Sequence, residues 1–459
     1  MSEQAATQPP HEYQRFLQSL PGDWDRKEIR QLGTVVGGGT PSRDVPSFWQ
    51  GRTPWVTPGE VTGNATRLLY DTNERISASG LAGSGANLLP AGSLMVTTRA
   101  TLGARAINAV PMATNQGFKS IVFRQSADSG FYFHLFEKVQ PELVRRASGT
   151  TFLEISAAEF AGIEVPSPGP NEKRLITKVL DTLDTAIHET EAIIAKLKAV
   201  KQGLLHDLLT RGIDANGELR PSQSEARHLY KESPLGWIPK GWDAASIDDL
   251  AESMVDGPFG SNLKTSHYVE NPGVRVVRLQ NILAGEYDDS ERAFVSERHA
   301  ASLVRNRVQG GDTLIASLGD ANFPVGRSCC YPSDLPAAIN KADCFRFRSG
   351  SRSRNAFVMF SMNGGAARRQ VRGFEQGVTM KRINLGNLRR IVIALPSLAE
   401  QDQIVERLNI GQQQVDITAR QLMKLRHQKL GLMDDLLTGR VRVTPLPAES
   451  GHRDIMGSA

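Results

Sequence analysis

The chain contains the same segment twice. Gly149-Thr150-Thr151-Phe152-Leu153-Glu154-Ile155 returns as Gly377-Val378-Thr379-Met380-Lys381-Arg382-Ile383, and Asp207-Leu208-Leu209-Thr210 returns as Asp435-Leu436-Leu437-Thr438, both at a separation of 228 residues. Between these markers no gap is needed: Pro168/Pro396, Glu172/Glu400, Ile176/Ile404, Lys196-Leu197/Lys424-Leu425 and Gly203-Leu204/Gly431-Leu432 all fall in register. A repeat of this length constrains the fold before any local reading, because whatever one copy forms the other must also form. The upstream parts are more loosely related. Leu20-Pro21-Gly22-Asp23-Trp24 answers to Ile238-Pro239-Lys240-Gly241-Trp242 at a separation of 218, so the second front is ten residues longer.

The matched part reads as a long helix with one apolar seam. Ile176, Leu180, Leu183, Ile187, Thr190, Ile194, Leu197, Lys201, Leu204 and Leu208 follow a 4-3 spacing, the a/d pattern of a coiled coil. Ile404, Leu408, Gly411, Val415, Thr418, Leu422, Leu425, Lys429, Leu432 and Leu436 repeat it, down to the matched Thr190/Thr418 and Lys201/Lys429. Pro168 and Pro396 stand before these helices, where proline suits a start. Thr210-Arg211-Gly212 and Thr438-Gly439-Arg440 stand after them, where glycine suits a stop. Each helix of about 40 residues spans roughly 60 Å. A lone helix cannot bury such a seam, so the two copies are expected to pack on each other. Chain order then makes them antiparallel, with a pseudo-twofold axis, and Lys201 and Lys429 snorkel from the seam to fix register.

The fronts read as short strands broken by Gly, Pro, Asn and Ser turns. Strand candidates are 93–98, 120–123, 274–279 and 312–317, with helices over 129–146 and 355–372. Residues 90–96 align with 308–315 and residues 114–119 with 338–344, so one α+β scaffold serves both fronts while its loops differ.

Composition narrows the chemistry. A length of 459 residues and 40% hydrophobic residues support two packed domains, not a disordered chain. No apolar run is long enough to cross a membrane, and residues 1–14 carry no secretory h-region, so a cytoplasmic location is expected. Cys329, Cys330 and Cys344 fit reduced thiols, with no metal-type pairing. A net charge of +5 permits nucleic-acid binding without demonstrating it. There is no phosphate loop, no Asn-Pro-Pro-Tyr or Asp-Pro-Pro-Tyr run, no dinucleotide fingerprint, and no His-x-x-x-His or His-Glu-x-x-His spacing. The chain is therefore expected to be non-catalytic.

The order of variable domain, long helix, variable domain, long helix resembles the specificity subunits of Type I restriction–modification enzymes, the HsdS family. Stretches similar to that family are Gly38-Gly39-Thr40-Pro41-Ser42 and Trp55-Val56-Thr57-Pro58-Gly59-Glu60 in the first front. In the second they are Asp256-Gly257-Pro258-Phe259-Gly260-Ser261-Asn262-Leu263 and Val277-Arg278-Leu279-Gln280-Asn281-Ile282, and the helices are preceded by Val165-Pro166-Ser167-Pro168 and Ala394-Leu395-Pro396-Ser397. The resemblance implies two mixed α/β target-recognition domains joined by two long antiparallel coiled-coil helices, with boundaries at 1–20 (polar leader), 21–168 (first domain), 169–211 (first helix), 212–236 (linker), 237–396 (second domain), 397–438 (second helix) and 439–459 (tail). It implies double-stranded DNA as ligand, read as a bipartite site. It also implies two methyltransferase (HsdM-like) subunits and further restriction/translocase (HsdR-like) subunits as partners. No cofactor belongs to this chain; S-adenosylmethionine, ATP and Mg2+ are implied for the partners.

Base edges are read by Arg, Lys, Asn, Gln, Ser or Thr side chains on loops. The candidates are Thr98, Arg99, Arg105, Asn115, Gln116 and Lys119 in the first front, and Arg278, Gln280, Asn281, Ser317, Arg327, Asn340 and Lys341 in the second. For the arginines phosphate contact is the more common role. Trp24 and Trp242 are matched and read as structural, packing near a helix end. Three other readings stay open on sequence alone: a specificity subunit of a Type IIB or orphan methyltransferase system, a coiled-coil scaffold with no DNA role, and a self-contained enzyme.

Overall fold

The computed structural model describes residues 11–64, 66–149, 153–270 and 273–443. The chain folds as two compact units: residues 1–192 with 419–459, and residues 193–418. Each unit is one front domain plus part of both long helices.

The long helices run Pro170–Thr210 and Leu398–Leu437. In both, no seam position is among the exposed residues, and Ile176, Leu180, Leu208, Ile404, Leu408, Val415 and Leu436 are fully or nearly fully buried. Within the first unit Lys429 pairs with Asp184 at 2.5 Å and Arg426 with Glu191 at 2.6 Å, so one helix ascends as the other descends. Within the second unit Lys201 bonds Gln412, and Leu205 and Leu208 share a core with Ile404 and Leu408. The helices are antiparallel in each unit, as the chain order requires. The seam lysines occupy matched places: Lys201 lays its stem over Gly411, the small seam residue that makes room for it.

The first front is built on a sheet in the order Gly33–Gly37, Phe118–Phe123, Leu94–Thr97, Arg105–Asn108, Leu68–Leu69. The second has Ala251–Val255, Cys344–Ser349, Thr313–Ala316, Ser328–Cys330 in the same topological order. Beside each lies a second sheet, of three strands in the first front and five in the second, with one parallel pair, Thr53–Val56 with Ala113–Thr114 and Val274–Val277 with Ala338–Asn340. The sheet strands 94–97 and 313–316 are buried on both faces, which is why they read as apolar runs rather than alternations. Helix Ser129–Arg146 covers the first sheet with Phe131, Leu135, Phe136, Val139 and Leu143. Its counterpart is split at Gly364 into Asn355–Asn363 and Gly365–Phe374, where sequence suggests one continuous helix. Glycine leaves the helix with extended backbone at that point.

A short ladder closes each front just before its long helix: Asp25–Glu28 on Glu164–Ser167, and Asp243–Ser246 on Val392–Leu395. Beyond it the long helix starts against a matched latch. Glu172 accepts the Trp24 indole N–H at 3.1 Å and the Arg442 guanidinium at 2.7 Å. Glu400 accepts the Trp242 indole N–H at 3.0 Å, the Ile213 amide at 2.8 Å and the Arg220 guanidinium. Both helices stop at a left-handed glycine, Gly212 (φ +64°) and Gly439 (φ +70°). A Cβ on Gly212 would sit 2.3 Å from Glu400 Oε1 and from the Trp242 ring; one on Gly439 would sit 2.4 Å from Pro21. The end of each long helix therefore docks on the start of the other, and only glycine admits the approach.

Two expected boundaries change. Within the polar leader, Glu12–Gln18 is a helix with Tyr13 and Leu17 buried, because Tyr13, Phe16, Leu17 and Leu20 fall on one helical face. Tyr230–Ser233 of the linker forms a hairpin with Gly236–Pro239, which crosses into the second domain. Of the repeated heptapeptide, Thr150-Thr151-Phe152 lies outside the described residues, as does the tail beyond Val443.

Candidate nucleic-acid interface

In the first domain one sheet edge collects five of the six sequence candidates. Thr98 ends the central strand, buried, its amide and hydroxyl both donating to Gly117 O at 2.7 and 3.2 Å. The Asn115 side chain accepts the Gly117 amide at 2.9 Å, an Asx turn that shapes the loop. Gln116 takes the Thr40 hydroxyl, tying it to the Gly38-Gly39-Thr40 loop. That loop is drawn in by glycine: a Cβ on Gly38 would meet Asn115 O at 1.9 Å. Lys119 and Arg99 flank Glu154 at 3.8 and 3.9 Å.

Arg105 lies elsewhere. Its guanidinium donates to Phe133 O at 2.5 Å, to Gly103 O at 3.3 Å and to Glu137 at 2.8 Å. It borders a cleft with Arg67, His134, Asp181 and Lys429. There the buried His134 donates Nε2–H to Asp181 at 2.9 Å, and burial holds the imidazole below its ordinary value despite both nearby aspartates.

In the second domain the candidates split into two loops. Asn281 is buried, donating to Asp288 O and Glu291 O at 2.8 and 3.0 Å and accepting the Arg278 amide at 2.9 Å. Around it Gln280 and Arg278 both reach Glu291, at 2.9 and 3.3 Å. In the other loop the Ser317 amide donates to the Asp343 carbonyl and its hydroxyl to the Asp343 carboxylate, with which Arg382 pairs at 2.7 Å. Asn340 is buried and donates to Cys344 O at 2.6 Å. Lys341 carries its ammonium over the Tyr268 ring, 5.3 Å from the centroid, and a Cβ on Gly257 would meet Lys341 O at 1.8 Å. Gly257 thus repeats the role of Gly38.

Arg327 joins the two loops. It is 4% exposed, and its guanidinium donates to Ile282 O and Leu279 O on one side and to Leu318 O and Phe323 O on the other. Five N–H donors in a rigid fork suit this bracing role, for which lysine is no substitute. The structure therefore places Thr98, Asn281, Ser317, Arg327 and Asn340 inside the domains, where they shape the loops. Arg99, Gln116, Lys119, Arg278, Gln280 and Lys341 stand nearer solvent.

Sequence reading missed several charged residues at these edges. Glu154, Glu291 and Asp343 each organise two cationic or polar neighbours. Arg382 was visible inside the repeated heptapeptide, at the position of Glu154 in the other copy. Arg43 was not: it stacks 3.6 Å from the centroid of Trp49 and pairs with Glu74, a contact between residues far apart in sequence. Asp256, beside Asp343 and Arg382, has a buried oxygen without a partner among the described residues, and burial pushes its carboxyl up to about 6. The three thiols are likewise pushed up by burial, Cys330 to about 11, so they stay protonated.

Comparison with known proteins places this doubled architecture. The Type I restriction modification DNA specificity domain matches twice, at residues 21–199 and 239–427. The chain belongs to this family. Its relatives include the Type I restriction enzyme MjaVIII specificity subunit of Methanocaldococcus jannaschii, 23% identical over 93% of this chain and 95% of that one. The MjaIX specificity subunit of the same organism is 28% identical over 61% of this chain, a match spanning 62% of the relative's length. The fold is also that of the Type I S subunit from M. genitalium, with a TM-score of 0.52 at 13% identity over 90% of this chain and 96% of that one. As a family of specificity subunits, its members are non-catalytic components of restriction–modification complexes. Among the described residues, no helix of this chain is long and apolar enough to cross a membrane.

Proposed function

We propose that this chain is the DNA-reading subunit of a Type I complex and binds an asymmetric bipartite site, one half per front domain. The observation that carries this is one scaffold built twice with differently charged edges. Lys119 and Arg99 share Glu154 in the first, while Arg382, Lys381 and Lys341 crowd the second. Equal scaffolds present their loops in equivalent ways, and unlike loops select unlike bases. Exposed members of the candidate set make the contacts, phosphates being the commoner partners of the arginines.

In this reading the two long helices set the spacing between half-sites and dock two methyltransferase subunits, to which restriction subunits add. S-adenosylmethionine, ATP and Mg2+ belong to those partners, and the complex works where the DNA is, in the cytoplasm. Half-site spacing then follows protein geometry, as for other two-headed readers. Methylation-aware sequencing of the host genome, with and without this gene, tests the reading. The expected result is loss of one interrupted motif with unlike halves. A palindrome, or a contiguous motif, sinks it.

A further inference from the structure

Two turns of the second domain meet across a short ladder. Leu318–Gly319 pairs with Lys381–Arg382, and the Ile383 amide donates to Ser317 O. The first turn is closed by Asp320, whose amide donates to Phe323 O at 3.0 Å and whose carboxylate accepts the Asn322 and Phe323 amides at 2.8 Å. The second is closed by the Gln376 and Arg382 amides, each donating to the other's carbonyl at 2.9 and 2.8 Å. At its tip Gly377 has φ +107°, and a Cβ there would sit 2.3 Å from Met380 O. These tight turns hold apolar side chains out in water: Phe323 is 52% exposed, Met380 49% and Val378 94%.

Apolar side chains fixed in solvent on rigid turns mark a surface that is covered in use. The surroundings select the occupant. Lys381 and Arg382 stand in the same turn, half exposed, paired with Glu375 at 3.0 Å and Asp343 at 2.7 Å. The ladder continues into Ser317, and Ser317 bonds Asp343 two residues from Lys341. Apolar tips bracketed by Lys and Arg are the composition of side chains that insert between base steps while cations take the flanking phosphates.

We propose that Phe323, Val378 and Met380 form a wedge that unstacks one base-pair step in the half-site read by the second domain, with Lys381 and Arg382 on the neighbouring phosphates. The inference rests on the DNA-reading function proposed above and adds that the two half-sites are handled differently. On the first domain the place of Arg382 is taken by Glu154, which repels phosphate and is engaged by Arg99 and Lys119.

The test uses the chain assembled with its methyltransferase subunits. Duplexes carry the mapped bipartite site with a single 2-aminopurine at each step of either half. Binding is expected to raise fluorescence at one step of the second domain's half-site. A Phe323→Ser, Val378→Ser, Met380→Ser triple variant, with its thermal unfolding unchanged, is expected to lose that rise. It should bind the site about tenfold more weakly while binding a random duplex within about twofold of the parent. Retention of the rise in the variant overturns the wedge, as does a rise confined to the other half-site. So does a variant that sheds its methyltransferase subunits on size exclusion, since the patch would then be a protein dock. A parent complex that fails to bind the mapped duplex at all overturns the DNA reading itself, a distinct result.

Discussion

The two front domains share a scaffold and differ in what they hang on it. Both close with the same ladder, latch a tryptophan to the first turn of a long helix, and draw a glycine loop onto the end of a parallel strand. Yet Glu154 in one is Arg382 in the other, and Asp184 in one is Gln412 in the other. What is common lies where the helices start and stop. What differs lies on the loop edges and beside the helix seam. In the proposed reading, duplication is kept where geometry is shared and released where the two half-sites are told apart.

The largest test of the shared part is the latch. Glu400 satisfies three donors and Glu172 two side chains, with Arg442 also held by Asp23 at 2.8 Å. Glu400→Ala is expected to cost about 3 kcal/mol, since it strands a partly buried indole N–H, an amide and a guanidinium, and Glu172→Ala about 1 kcal/mol, since it strands an indole N–H while the exposed Arg442 keeps Asp23. Urea unfolding, with hydrogen exchange to locate the loss, measures both. If Glu172→Ala costs more, the latches are not the equivalents drawn here.

The released part is tested by exchanging its charges. Arg382→Glu is expected to weaken DNA binding of the assembled complex about tenfold and to reduce the salt slope by about one to two units. Glu154→Lys is expected to tighten binding to any duplex by a similar factor. If the two substitutions move affinity in the same direction, the two edges do not both face DNA.

Much of the shared part was legible in sequence because it is periodic or repeated. The 4-3 seam named its own buried positions, matched Trp24/Trp242 marked the helix starts, and Gly212 and Gly439, one register position apart, marked the ends. The edges were harder to read for a physical reason. A loop arginine looks the same in sequence whether it reaches for phosphate or for carbonyls. Arg327 sits among backbone carbonyls from two loops more than forty residues apart in part, and no local pattern announces that. Asn281 likewise bonds backbone seven and ten residues on, and Asn340 accepts from the side chain of Asn306. The leader helix was missed because about two amphipathic turns carry little periodic signal.

Acid should act on the two units with opposite sign. His134 is held below its ordinary value by burial, so its contribution to stability is present above about pH 6.5 and lost as pH falls through that range. Asp256 is held near 6, above its ordinary 3.8, so its contribution is present at low pH and lost as pH rises through 6. Between pH 7 and 5.5 the first unit is expected to lose protection while the second gains a smaller amount, reduced by the partial exposure of Asp256. Hydrogen exchange resolved by unit measures this. His134→Asn should flatten the first profile and Asp256→Asn the second, and unchanged profiles in those variants would assign the pH response to other groups.

The smallest contrast is between the two seam lysines. Lys429 faces a carboxylate, Asp184, whereas Lys201 faces the neutral amide of Gln412 and is held below its ordinary value chiefly by burial. Replacing a desolvated lysine by an apolar side chain of similar length removes a cost; replacing one that neutralises a carboxylate exposes that carboxylate to a seam without its partner. Lys201→Met is therefore expected to stabilise the second unit by about 0.5 kcal/mol, and Lys429→Met to destabilise the first by a similar amount. The seam itself also differs between the copies, with Leu183, Ile187 and Ile194 in one where Gly411, Val415 and Leu422 stand in the other, so the contrast reports local packing as well as the partner. If both substitutions stabilise, Asp184 is solvated well enough to dispense with Lys429. The lysines would then set the register of the helices and not their strength.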